Sequence, residues 1–290
     1  MSAPPTSAAG APTSSPPGAA PRRAGVGPGL QRMDKGQIQH VVVIGSGKGG
    51  VGKSSSTALL AAELSRRGLK TGLLDADITG PSIPKLFGLS GPLVDKGEGI
   101  EPAVAANGIP VVSSQFLVED EETPVIWRGP LVTRLIMQFF GGVNWGKLDY
   151  LLIDMPPGTS DVPLTVFQTI PLDGMVFVFT PQDLAAMIVR KAMNMARDLH
   201  VPLLGVVENM AYFTCPHCGR PSELFGPSRV ARVAEEYGIP VLARLPVDPR
   251  MSTLGDAGKL YEYTDRAVAE LADKFLKSME QAKKSQLTVL

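Results

Sequence analysis

Eight residues constrain this chain more than any others. Gly47-Lys48-Gly49-Gly50-Val51-Gly52-Lys53-Ser54 stand between an apolar run, residues 41–44, and a stretch with Leu59, Leu60 and Leu64 at helical spacing. They satisfy the pattern G-x-x-x-x-G-K-[ST], whose glycines let the backbone wrap so that several N–H groups face phosphate oxygens. Strand, loop and helix in that order commit the chain to alternating elements. Five more short apolar runs continue the alternation, at residues 72–75, 150–153, 175–179, 203–207 and 241–245. Their β-branched and aliphatic residues suit strands buried on both faces. Helical patterns over 54–67, 131–140, 183–199 and 228–237 fall among them. The expected fold is α/β, a doubly wound and mainly parallel sheet.

Composition sets the boundaries. Residues 1–37 are dominated by Pro, Ala, Gly and Ser, which bury too little apolar surface to offset the entropy of ordering, so a disordered tail is expected there. The tail lacks the apolar segment of a secretory signal. Its arginines, Arg22, Arg23 and Arg32, are few and prolines interrupt it, which favours a plain tail over an organellar transit peptide. Residues 38–278 form the expected domain. Residues 260–284 read as an amphipathic helix that frays into a polar tail at 279–290. The chain balances 28 Lys+Arg against 28 Asp+Glu, which argues against a nucleic-acid binder. No apolar run approaches the roughly 18 residues of a membrane span, and the terminal segment has too weak an apolar face for stable membrane docking. The cytoplasm is the expected compartment, with an organellar matrix as the alternative.

Chemistry follows from the loop. Residues 47–54, with Ser55 beside them, should cradle a nucleotide's phosphates, the helix N-terminus adding positive potential. Lys53 should reach the β- and γ-phosphates and the Ser54 hydroxyl should ligate Mg2+. Asp154 follows Leu151-Leu152-Ile153 as a metal-holding aspartate follows its apolar strand, so it too is expected on Mg2+. Asp77, after the second strand, is placed to orient the attacking water, whereas Asp75 reads as structural. Gly158, after Pro156 and Pro157, can offer a backbone N–H to the γ-phosphate.

Lys48, directly after the first glycine, makes the loop resemble the deviant phosphate loop GKGGVGKS of the nitrogenase iron protein, MinD, ParA and Mrp group. That resemblance implies a MinD-like P-loop fold and a homodimer, with Lys48 reaching the partner's phosphates as an arginine finger does. Further blocks resemble the Mrp/ApbC iron–sulfur carrier ATPases, bacterial type. They are DADITGPSIP at 75–84, PVIWRGP at 124–130, DMPPGTSDV at 154–162, Thr180-Pro181-Gln182-Asp183 and Val207-Glu208-Asn209-Met210. Ser160 stands where many relatives have Gly. The resemblance covers residues 38–260 in one collinear run and implies that Asn209 recognises adenine, hence ATP over GTP. The chain shows neither an N-terminal four-cysteine motif nor a small N-terminal domain, and so looks like a minimal carrier.

The chain has two cysteines, Cys215 and Cys218, in the turn Cys215-Pro216-His217-Cys218-Gly219. Pro and Gly favour a compact knuckle with both sulfurs facing one point. Three readings compete: a redox pair, half of a bridging zinc site, and half of a four-thiolate [4Fe–4S] cluster shared by two subunits. The family resemblance implies the cluster, labile and bridging. The expected function is therefore a slow ATPase that receives a cluster from an assembly scaffold and hands it to apo iron–sulfur proteins. The alternative is a MinD/ParA-like positioning ATPase with a structural bridging zinc.

Overall fold

The computed structural model describes residues 33–288 apart from 79, 96, 98, 118–128, 159–160 and 183–186. The tail over residues 1–32, residues 124–128 of the second family block, Thr159, Ser160 and Asp183 thus lie outside the described residues.

Strand β1 (Ile38–Ser46) enters α1 (Lys53–Arg66) through the glycine-rich loop. Then come β2 (Thr71–Asp75), the short α2 (Ile83–Leu86), β3 (Val94–Asp95), β4 (Ile100–Glu101), β5 (Ala103–Val104) and β6 (Pro110–Ser113). The next are α3 (Gly129–Gly141), β7 (Leu148–Asp154), α4 (Asp161–Thr169), β8 (Gly174–Phe179) and α5 (Met187–Asp198). The last are β9 (Leu203–Thr214), β10 (Pro221–Ser222), α6 (Val230–Tyr237), β11 (Val241–Pro246), α7 (Pro249–Asp256) and α8 (Arg266–Thr288).

The main sheet runs β10-β9-β8-β1-β7-β2-β6-β5, with β11 also paired to β9. Pairings among β11, β9, β8, β1, β7, β2 and β6 are parallel, and only β5 on β6 and β10 on β9 are antiparallel. The doubly wound, mainly parallel sheet expected from the alternation is what forms. Side-chain parity explains why both faces are covered. Val41 and Val43 point into one core layer with Ile136, Phe139, Phe167 and Met193 of α3 to α5. Val42 and Ile44 point into the other with Leu59, Leu60 and Leu64 of α1 and Phe275 of α8.

All six apolar runs are strands. The weaker signals hid β6, α4 and α7. The terminal helix is shifted relative to the expected 260–284, starting later, at Arg266. It stays helical to Thr288, beyond the boundary expected at residue 278, and Met279 is buried against the core.

Register positions the site. Asp154 on β7 lies level with Ile44 on β1 and with Asp75 on β2. Both carboxylates therefore emerge at the carboxyl edge of the sheet, beside the loop that leaves β1.

Candidate functional site: a phosphate loop and a cysteine hairpin

Gly52 takes φ 78° and stands immediately before α1, a conformation that favours glycine. Space imposes the same choice, since a Cβ there would stand 2.0 Å from Asn209 Nδ2. The turn delivers Lys53 and Ser54 to the carboxylates. Lys53 Nζ donates to Asp154 Oδ2 at 2.7 Å and lies 3.8 Å from Asp77 Oδ2. Ser54 Oγ donates to the same Asp154 oxygen at 2.5 Å. The other oxygen, Oδ1, accepts from Thr57 Oγ1 at 2.8 Å. Lys53, Thr57 and Asp154 are all buried. The structure thus brings Lys53, Ser54, Asp77 and Asp154 together, and adds Thr57. Nothing in the eight-residue pattern marks Thr57; its place one helical turn after Lys53 is the only signal.

Asp75 is buried too, and its bonds hold the segment after β2. It accepts from the backbone N–H of Asp77 at 3.1 Å, Ser82 at 3.1 Å and Ile83 at 3.2 Å, and from Ser113 Oγ at 3.2 Å. Burial first, and the charge of Asp154 second, push its carboxyl above the usual range, while Lys53 and the backbone N–H groups of Ile83 and Asp77 pull it down. Its structural role, expected from the sequence, is met by this geometry.

The loop after β7 lies over the phosphate loop. Gly158 (φ 84°) donates its N–H to Ser46 O at 3.0 Å. Ser46 Oγ in turn donates to Lys48 O at 3.0 Å. Gly49, Gly50 and Lys48 itself are exposed, Gly47 and Val51 are buried, and Ser55 is half-buried. Asn209, buried on β9, donates Nδ2 to Val51 O at 2.9 Å. It therefore sits against the phosphate loop. The next residue, Met210, has φ 55°, outside the extended range of its strand.

From there β9 runs on to Thr214, and the cysteine turn follows. Thr214 pairs with Pro221 and Phe213 with Ser222, so the two cysteines occupy the tip of a β9–β10 hairpin. Gly219 N donates to Cys215 O at 2.8 Å and Cys215 N donates to Arg220 O at 3.0 Å, closing the compact knuckle. Cys215 is half-buried and Cys218 exposed, both free thiols. Hydrogen bonds from the backbone N–H of Cys218 and of His217, then from the Cys218 thiol, lower the Cys215 pKa. Among the described residues no group of three or more His, Cys, Asp and Glu side chains gathers where it could hold a metal ion. A cleft of about 380 Å3 opens beside the hairpin stem, lined by Tyr212, Phe213, Pro246, Val247, Asp248 and Arg250. Sequence patterns did not mark it, because its walls come from β9 and from the loop after β11.

Comparison with known proteins sorts these features. The nucleotide-binding protein of Archaeoglobus fulgidus, solved in complex with ADP and with cobalt found in it, superposes with a TM-score of 0.72 at 46% identity, covering 79% of this chain and 90% of that one. The cell division ATPase MinD of Pyrococcus furiosus superposes with a TM-score of 0.58 at 22% identity over 85% of this chain and 99% of that one, a likeness of fold. An iron-sulfur cluster carrier protein of Clostridium perfringens is 46% identical over 236 residues, 79% of this chain and 83% of that protein. One from Methanocaldococcus jannaschii is 44% identical over 248 residues, 85% of this chain and 86% of that protein. The family model described as ParA: NUBPL iron-transfer P-loop NTPase matches residues 37–282. With its phosphate loop, paired carboxylates and match over nearly the whole described domain, this chain belongs to the NUBPL iron-transfer P-loop NTPases.

Proposed function

We propose that the chain is an ATP-hydrolysing carrier that takes up a [4Fe–4S] cluster between two copies of itself and transfers it to apo-proteins. The observation that carries this reading is the hairpin tip. Cys215 and Cys218 sit together, exposed enough to meet a second chain, and one chain supplies two of the four thiolates such a cluster takes. The cluster is cargo here, acquired from an assembly scaffold and passed on. The names of the relatives support the same reading.

ATP would occupy the phosphate loop, residues 47–54, with Ser55 at its edge. Lys53 would leave Asp154 for the β- and γ-phosphates, a move its long side chain makes without backbone change. Ser54 Oγ and the Asp154 carboxylate are hard oxygen donors on one spot, a set that suits Mg2+. When bound, that ion supplies charge neutralisation to the phosphates. Asp77, close to Lys53, would orient the attacking water. The Gly158 N–H would turn from Ser46 O toward the γ-phosphate, and that turn makes the loop after β7 sensitive to hydrolysis. Lys48, exposed on the loop, would complete the partner's site, so nucleotide and cargo both call for a dimer. Asn209 would recognise adenine from its place against the loop.

Anaerobic reconstitution with iron and sulfide tests the reading, followed by iron count, absorbance and sizing with and without ATP. One cluster per two chains is expected for the native protein and none for the variant Cys215→Ala with Cys218→Ala. A full cluster in that variant, or zinc in place of iron after reconstitution, rejects the cargo assignment.

A further inference from the structure

Glu208 carries a charge that neither ATP binding nor cysteine chemistry uses. It sits in mid-sheet on β9 with its side chain 0% exposed. A buried carboxylate is retained only with strong partners. Ser228 Oγ lies 2.8 Å from each of its oxygens, and Arg244 Nε donates to Oε2 at 2.7 Å. Arg244 is its register partner on β11. The same guanidinium then reaches outward, Nη2 donating to Glu223 Oε1 at 2.7 Å. Glu223 directly follows β10, the outer arm of the cysteine hairpin. Ser228 in turn accepts from Val230 N at 3.2 Å, at the start of α6. One buried carboxylate thus ties the outer arm and the following helix to the strand whose next residue, Asn209, holds the phosphate loop.

The β9 arm of the hairpin is held by β11, Val247 N donating to Tyr212 O at 2.7 Å, but the outer arm has less to fix it. It pairs with β9 through Pro221 and Ser222 alone among its strand pairings, and residues 216–225 are exposed. A two-residue arm leaves the tip free to tilt unless something beyond it is anchored. Arg244 supplies the anchor, and its planar guanidinium can serve two carboxylates at once.

We propose that the Glu208–Arg244–Glu223 chain is a strut that transmits nucleotide occupancy at the phosphate loop to the cysteine tip. Arg244 and Glu223 are then positioning residues for Cys215 and Cys218. This rests on the reading of the cysteine pair as the cargo site, and it adds the route by which ATP reaches that site. A nucleotide that pulls Asn209 shifts β9; Glu208 moves with it on the opposite face and draws Arg244 and the outer arm along.

The test follows iodoacetamide alkylation of Cys215 and Cys218 by mass spectrometry in the metal-free full chain, with and without ATP and Mg2+. Coupling between sites of this kind is commonly about fivefold or more. The native chain should show a rate ratio of about that size. Glu223→Ala should bring the ratio close to one and Glu223→Lys, which repels Arg244, should do the same, with ATP affinity unchanged in both. Glu223 is on the surface, so these variants leave no buried charge behind; Arg244→Met is the stronger but less stable companion. A native ratio of one overturns the strut, as does a full ratio in Glu223→Ala. Samples are sized at the same concentration, and a ratio that falls only because the dimer dissociates also counts against it. Since the readout needs no cluster, failure of reconstitution with alkylation still coupled to ATP would remove the cargo reading and leave the strut.

Discussion

At the phosphate-loop end the charges are enclosed. Lys53 is 6% exposed and meets Asp154, Ser54 and Asp77, while Asp75 takes four hydrogen bonds within the protein. At the hairpin tip the same chain does the opposite, offering Cys218 and most of the turn to solvent. The first region is preorganised and carries part of the fold's stability. The second leaves its thiols within reach of solvent. A site of the first kind resists substitution through folding and a site of the second kind through function alone, and the two can be separated by experiment.

The largest effect should come from Asp154→Asn. It leaves the buried Lys53 ammonium without its nearest counter-charge and should cost about 3 kcal/mol in urea unfolding. ATP turnover should fall to background. Native-like stability in that variant would break the contrast at its strongest point.

Asp75→Asn comes next, at about 2 kcal/mol, because an amide places N–H groups against backbone donors. It also tests a pH slope. Asp75 is raised to about 8, by burial first and Asp154 second. A carboxyl raised in the folded state holds its proton longer there than in the unfolded chain, whose value is about 4. Its contribution to stability is therefore complete below about 4 and lost as pH climbs toward about 8. Denaturation curves across that window should show the slope in the native chain and a flatter line in Asp75→Asn.

Asn209→Ala removes the bond to Val51 O and should cost about 1 kcal/mol. ATP binding by calorimetry should weaken by up to about tenfold. The smallest stability effect belongs to the cysteines. Replacing both by Ala should shift unfolding by less than about 0.5 kcal/mol, whereas the proposed function requires it to abolish cluster uptake. In the native chain, Cys215 should alkylate with a midpoint below that of a free thiol, since its hydrogen bonds favour the thiolate.

How much of this was legible in the sequence depends on the range of the signal. The phosphate loop, the six apolar strands and the knuckle are local patterns, and each appears where its residues imply. Strand β6 was not legible because it is only four residues long and opens on Pro110. Helix α7 carries a readable start, Asp248 accepting from Arg250 N with Pro249 behind it, but it is too short for periodicity to announce it. Thr57 on Asp154 and Glu208 on Arg244 are contacts across 97 and 36 residues, and no local pattern contains them. Asn209 was singled out through family resemblance; its contact with Val51 spans 158 residues.

Met210 has a consequence of its own. Its left-handed backbone, unusual for a residue with a Cβ, interrupts the up-and-down bookkeeping of β9 one step after Asn209. Upstream of it the strand pairs with β8 and β11; downstream Tyr212 still pairs with Pro246 of β11 before the strand becomes the hairpin stem at Phe213. A lever set with its kink at the fulcrum turns small displacements at the short end into tilt at the long one. The five residues from Ala211 to Cys215 give that long arm a reach of roughly 17 Å.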